Sequence, residues 1–295
     1  MSTNSVLVIA FDGLDRELIE EFGLKHVKQE EFGALDNNTG MHQIKTSELF
    51  TSFITGKTWE DHGITGHEKR KYQNPMKDKI LRFLTPDKIV ANVRGWRTLR
   101  EVLESVMRAE KLERYTKNDQ KLDTLFEKIS GSRAMFVPGY NPGMIWRLRL
   151  EIAPLENGYS VERRSKFWDK RSYEVRKRDL FREIENDIVS PRPFLMCHFF
   201  RPDQHQHYYG DIDLGTYNKD KLRKMYLEID ELAGEIREKA LEKGYDTIIF
   251  MSDHGLPDET DHNENAFYSC NRKLFGKRTP KITDFHDKIL EAQNS

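Results

Sequence analysis

Four short apolar runs punctuate an otherwise polar chain, at residues 5–11 (SVLVIAF), 133–137 (RAMFV), 194–200 (FLMCHFF) and 247–250 (TIIF). Each is too short for a core helix and rich in aliphatic or aromatic residues, so each predicts a buried strand. Between them the apolar positions change to helical spacing. Leu18, Ile19 and Phe22 follow Asp15 and stop at Gly23, and Leu49, Phe50, Phe53 and Ile54 recur between Thr46 and Gly56. Leu222, Tyr226, Ile229, Leu232, Ala233, Ile236 and Ala240 share one face of residues 219–243, ahead of Gly244. These spacings predict helices, with glycine as the stop. Further helices are expected over 96–115, 122–129 and 281–292. Residues 33–44 read as turns and 138–143 as a stiff loop. Residues 157–186 are polar and basic, and a solvated surface is expected there. Strands alternating with helices predict a three-layer α/β/α sandwich with a mostly parallel central sheet. One domain is expected over 1–295, with a helical insertion at about 67–130 over one rim of the sheet.

Composition narrows the picture only a little. The chain has 295 residues, 37% hydrophobic and 33% charged, with a net charge of −1. That balance argues for neither nucleic acid nor membrane as a bulk partner. No apolar run reaches the length of a membrane span. The charge is uneven, however: residues 67–133 carry 17 Lys and Arg against 10 Asp and Glu, a balance of +7. This is either a solvated helical face or a set of phosphate contacts, with Tyr72, Trp96 and Tyr115 available for stacking. The two cysteines, Cys197 and Cys270, form neither metal spacing nor a disulfide framework. A reducing, cytoplasmic setting is the expectation. No leader peptide is expected, because the first strand follows Met1 almost at once.

The candidate chemistry lies where the strands end. The run at 247–250 leads into Ser252-Asp253-His254-Gly255, and the run at 5–11 into Asp12-Gly13. The run at 194–200 leads into Arg201-Pro202-Asp203, followed by His205, His207 and Gly210. Beyond Gly255 come Asp258, Asp261 and His262. Open α/β sheets bind their ligands at the rim where strands end. Carboxylates and neutral imidazoles are the ligands that zinc-like cations take. Three strands ending in Asp, with histidines in step, therefore suggest one shared metal cluster. Thr46 opens a helix, where a hydroxyl either caps the helix or meets a phosphate held by free N–H groups. His205 reads as a substitute for His207 or as a partner that orients a ligand, His198 as a core or rim residue and His62 as a turn former. His26, His42, His67 and His286 have no context and are expected at the surface.

In these residues the chain resembles the alkaline phosphatase superfamily, in its nucleotide pyrophosphatase/phosphodiesterase branch. The matching pieces are Phe11-Asp12-Gly13, Lys45-Thr46 with Thr55-Gly56, and His62-Gly63-Ile64. To these are added Pro202-Asp203 with His207 and Gly210, Ser252-Asp253-His254-Gly255, and His262. The resemblance implies two divalent cations, zinc first, with manganese or iron as alternatives. It implies Asp203, His207 and His262 around one cation. Asp12, Asp253 and His254 would hold the other, with Thr46 as a further ligand and the nucleophile. Lys45 and Ser47 are candidates for binding the substrate phosphate. Leu49 stands where the branch has Asn, and Glu48 and Trp59 stand where it has prolines, so Glu48 is expected close to an incoming anion. Nothing around Thr46 matches the sulfatase branch.

The implied activity is metal-dependent phosphoester hydrolysis of a small-molecule phosphoester or nucleotide, through a phospho-threonine at Thr46. Two readings stand beside it. One is a phosphomonoesterase or phosphomutase of the same superfamily. The other is a catalytically retired nucleic-acid-binding or interaction protein using the basic 67–133 segment.

Overall fold

The computed structural model describes residues 4–66, 68–71, 111–142, 161–186, 188–189, 191–204, 206, 219–256 and 262–294. The chain divides into two compact units, residues 1–67 with 115–295, and residues 68–114. In the smaller unit, β3 (Glu68–Lys71) and β4 (Lys111–Arg114) form an antiparallel pair. The helix expected over 96–115 is therefore corrected at its end. Arg70 pairs with Leu112 and Lys71 with Lys111, so cross-strand pairing decides this segment over helix propensity. Residues 96–110 lie outside the described residues.

The larger unit is built on a six-stranded sheet. Its strands are β1 (Val6–Phe11), β2 (Glu31–Ala34), β5 (Arg133–Met135), β6 (Phe194–Phe199), β7 (Thr247–Met251) and β8 (Phe267–Cys270). Their order is β2-β8-β7-β1-β6-β5. The contacts β7–β1, β1–β6 and β6–β5 are parallel, and β8 runs antiparallel to both its neighbours. The four parallel strands are the four apolar runs. The edge strand β2 and its neighbour β8 are the two that the apolar pattern misses. Each is only four residues long, and Gly33 and Ser269 interrupt the apolar sequence.

Strand alternation sends the β1 side chains to two separate cores, which makes the arrangement three-layered. Leu7, Ile9 and Phe11 join α1 (Arg16–Glu21), α5 (Val161–Ile184) and α6 (Lys219–Glu242). Val6, Val8 and Ala10 join α2 (Thr46–Thr55), α4 (Leu125–Lys128) and α7 (Asp284–Asn294) on the opposite face. The short α3 (Trp59–His62) follows α2. Among the described residues no helix is long and apolar enough to cross a membrane.

Two surface expectations are corrected. Residues 161–184 form the helix α5, not an irregular solvated segment. Its inward positions at helical spacing include Asp169, Ser172 and Arg176 beside Val175, Leu180 and Ile184, all buried. Ionic residues on the inner face hid the apolar stripe. His286 is also buried, with Nε2 2.9 Å from Lys128 Nζ and its Cβ packed where a Gly56 side chain would sit.

His62 closes the α2–α3 turn. Its Nδ1 accepts the Ile64 N–H at 3.1 Å, which leaves Nε2–H for Ser52 Oγ at 2.9 Å. Burial pulls the ring's pKa down from 6.5 to about 4, against a small opposing effect of the Asp61 charge. A proton therefore prefers the unfolded chain. The stability from this ring is complete above pH 6.5 and is lost as pH falls from there toward 4. Urea unfolding across that interval is expected to show a shallower pH dependence in His62→Gln than in wild type. An unchanged slope would reject this assignment.

Candidate metal centre

Parallel register brings three strand ends to one level. Phe11 pairs with Phe199, and Ala10 with Met251, so Asp12, the 200–203 turn and Ser252-Asp253-His254 leave the sheet together. The Asp203 N–H donates to the Asp12 carbonyl at 2.9 Å and locks the second end to the first. Gly13 makes this approach possible. It sits at φ 71°, and a Cβ there would lie 2.9 Å from the Asp203 Cβ. The third end is tied down by Asp15. One of its oxygens caps α1 through the N–H groups of Glu17 and Leu18. The other accepts from Leu256 N–H (3.2 Å), Asn263 Nδ2 (3.0 Å) and Asn265 Nδ2 (3.3 Å). Ser252 Oγ donates to the Leu14 carbonyl at 2.8 Å, and Asn37 Nδ2 to the Asp253 carbonyl at 2.7 Å.

The side chains so placed converge. His254 Nε2 lies 3.1 Å from Asp12 Oδ1 and 3.5 Å from Asp253 Oδ2. His262 Nε2 lies 3.6 Å from Asp203 Oδ1, and its ring stacks on that of His254 with centroids 3.8 Å apart. Two groups of potential ligand atoms result, Asp12 with Asp253 and His254, and Asp203 with His254 and His262. Within each group the atoms lie within 4.8 Å of one another.

Burial makes the group electrostatically tense. Asp12 is 2% exposed, and Asp253 and His254 are fully buried. Both oxygens of Asp253, Oδ1 of Asp12 and Nε2 of His254 are shielded from solvent without a hydrogen-bond partner among the described residues. Burial, and then the neighbouring Asp12 charge, push the Asp253 carboxyl up to about 8. Burial also raises Asp12, but the imidazoles of His198 and His254 outweigh it and hold that carboxyl well below the usual range. Burial works against protonating His254, yet the carboxylates around it raise the ring to about 10. Buried carboxylate oxygens and imidazole nitrogens that converge within 4.8 Å of one another form a donor set that fits a divalent cation.

Of the residues expected here, Asp12, Asp203, Asp253, His254 and His262 come together. His207 lies outside the described residues, as do His205, Asp258 and Asp261. Thr46 is buried at the first position of α2, with Lys45 as the N-cap residue. The segment leading into it touches the cluster, since the Ile44 carbonyl lies 3.2 Å from His262 Nδ1. Burial lowers the Lys45 pKa, while the Asp203 charge acts to raise it, which places the ammonium within that carboxylate's field. Ser47 is buried, and its carbonyl accepts Thr51 Oγ1 at 2.7 Å.

Two expectations change. Glu48 is fully buried and turned to the preceding loop, where Oε1 accepts the N–H groups of His42 at 2.5 Å and Gln43 at 3.3 Å. It braces the loop before Thr46. Leu49 points into the core with no exposure, as its place on the apolar stripe of α2 predicts. His198 is not a bystander: its Nε2 lies 3.2 Å from Asp12 Oδ2. The position in β6 level with Ala10, two residues before Asp12, was the signal for it. Only knowledge of the strand pairing makes that signal readable.

A family model described as type I phosphodiesterase / nucleotide pyrophosphatase matches residues 6–274. No curated protein shows significant similarity to the chain. Among solved structures, murine ectonucleotide pyrophosphatase/phosphodiesterase 5 is similar at 16% identity, over 85% of this chain and 57% of that one, with a TM-score of 0.46. An inactive variant of the same murine protein in complex with AMP matches at 15% identity, and the human protein at 14%, each with the same coverage and score. The chain thus spans little over half the length of these structures.

Gly13→Ala is expected to cost about 1–2 kcal/mol from the left-handed backbone alone. It should also push Asp203 away from Asp12. Urea unfolding measures the first effect, and zinc affinity of the folded variant the second. Wild-type affinity in that variant would mean that the approach of these two strand ends does not shape the cluster.

Proposed function

The chain belongs to the type I phosphodiesterase / nucleotide pyrophosphatase family, and on that premise we propose that it is a two-metal phosphoester hydrolase with Thr46 as its nucleophile. The observation that carries the reading is the convergence of buried carboxylate and imidazole atoms at three strand ends, Asp12 with Asp253 and His254, and Asp203 with His254 and His262. Asp12, Asp253 and His254 would hold one divalent cation. Asp203 and His262 would hold the second, with His207 supplied from the sequence motif. His254 falls within both groups. Zinc suits this donor set, as do manganese and iron. When bound, the cations supply positive charge against the phosphoryl oxygens and lower the pKa of a threonine hydroxyl.

The chain's own residues do the rest. The first turn of α2 presents the N–H groups of Thr46, Ser47 and Glu48, which have no acceptor within the helix, together with the positive end of the helix dipole. A phosphate seated there is oriented toward Thr46. Lys45 adds a cation beside the same turn. Thr46 Oγ1 attacks phosphorus, and the bond to the leaving oxygen breaks as the new P–O bond forms. Water then cleaves the phospho-threonine, which returns the hydroxyl. Glu48, braced by the 42–43 N–H groups, is turned away from this approach and leaves room for an anion. The substrate class supported is a phosphodiester or nucleotide pyrophosphate, with phosphomonoesters as the competing class.

Turnover of bis(p-nitrophenyl) phosphate and p-nitrophenyl phosphate by the zinc-loaded protein tests the reading. The diester is expected to be the better substrate, and Thr46→Ala should lower kcat on the order of a thousandfold or more while the fold is kept. Preference for the monoester would move the function to phosphatase chemistry. Undiminished turnover in Thr46→Ala would remove the nucleophile assignment.

A further inference from the structure

Beneath the cluster lies a buried cation that the proposed chemistry does not use. Arg176, on α5, is 1% exposed. Its guanidinium carbon lies 4.0 Å from the Phe200 ring centroid and 4.6 Å from that of Phe136. Among the described residues Phe136 is the one non-glycine residue at positive φ, 62°. Nε donates to Ser172 Oγ at 3.3 Å. Nη1 donates to the His198 carbonyl and lies 3.5 Å from His198 Nδ1. The His198 ring is fully buried, edge-on to Phe50 and Phe200. Its other nitrogen, Nε2, lies 3.2 Å from Asp12 Oδ2.

This order of groups has a chemical consequence. A guanidinium carries only donors, so the imidazole nitrogen facing it must offer a lone pair. With Nδ1 facing the guanidinium, the tautomer that suits this contact carries its proton on Nε2, 3.2 Å from Asp12 Oδ2. The two Asp12 oxygens are thereby divided. Oδ2 belongs to His198, and Oδ1 faces His254 and Asp253. A donor nitrogen held against one oxygen of a carboxylate fixes which oxygen remains for a cation and in what direction it points.

We propose that Arg176 and His198 are a buried positioning pair for Asp12: Arg176 sets the tautomer of His198, and His198 holds Oδ2 so that Oδ1 is presented to the metal. The inference rests on Asp12 being a metal ligand, as proposed above. Neither residue touches the substrate. Both act through Asp12, and both come from stretches in which the sequence carries no catalytic motif.

Two measurements on the full chain test it. The first is the ¹⁵N spectrum of the histidine rings in metal-free protein, which distinguishes a bare Nδ1 from a bare Nε2. His198, identified by comparison with His198→Gln, is expected in the Nε2–H form. In Arg176→Met it should shift toward a mixture. The second is zinc affinity by chelator competition, with unfolding followed on the same samples. His198→Phe is expected to weaken zinc binding about tenfold or more. His198→Gln, whose amide can still donate to Oδ2, should recover part of that loss. Wild-type His198 in the Nδ1–H or doubly protonated form would overturn the proposal. So would equal zinc affinity in wild type and a folded His198→Phe. Wild-type protein with no zinc affinity at all would instead overturn the metal reading, and the positioning role with it. Should Arg176→Met fail to fold, the wild-type tautomer and the two His198 variants still decide.

Discussion

Two carboxylates that must share a space closed to water set the terms for this molecule. Asp12 and Asp253 leave adjacent parallel strands at the same level, and neither is solvated. Burial and the Asp12 charge push the Asp253 carboxyl up to about 8, so this pair is not self-consistent as two free anions near neutral pH. The carboxylates in turn raise the His254 ring, which lies 3.1 Å from Asp12 Oδ1 and 3.5 Å from Asp253 Oδ2. Asp203, whose side chain is 16% exposed, adds a third carboxylate at the edge. On the proposed reading a divalent cation relieves this repulsion, because it supplies concentrated positive charge to the carboxylates.

The surrounding structure holds these groups in place against their repulsion. Four parallel strands give the rim, and their register decides which residues meet there. Gly13 lets the Asp203 backbone come within hydrogen-bonding distance of Asp12. Asp15 spends one oxygen on the start of α1 and the other on the 256–265 loop, so one side chain fastens both flanks of the site. Gly255 is forced by the same crowding, since a side chain there would overlap Asn263 and Asp15. Arg176 and His198 complete the floor from below. The site is thus set by backbone pairing and buried polar contacts, which suits chemistry that depends on fixed charges.

Much of this was legible in the sequence because the parallel core and the rim chemistry have strong local signatures. A buried parallel strand is a continuous apolar run, and the residue after it is the rim residue. Asp12-Gly13 and Ser252-Asp253-His254-Gly255 therefore announced their position at the rim. What stayed hidden was non-local. The strands β2 and β8 are short and take their strand character from each other and from β7. The helix α5 looked solvated because Asp169 and Arg176 occupy inward positions, where each is satisfied by partners distant in sequence. Asp169, for example, takes Arg201 in a paired contact. His198 looked like a core histidine because only the pairing of β6 with β1 brings its ring to Asp12. Glu48 was expected close to an incoming anion because it lies two residues after Thr46, where the resembled branch has a proline. Helix geometry turns it instead toward the 42–43 loop.

The central claim is that the strand-end carboxylates exist to hold divalent cations. Its most direct test is the zinc stoichiometry of the folded chain, by native mass spectrometry after loading and exhaustive buffer exchange, for wild type and for Asp253→Asn. The account predicts about two zinc ions per wild-type chain, as two-metal phosphoryl-transfer sites require, and one fewer in the variant. A wild-type chain that retains no zinc, or an Asp253→Asn chain that retains the full complement, would contradict it.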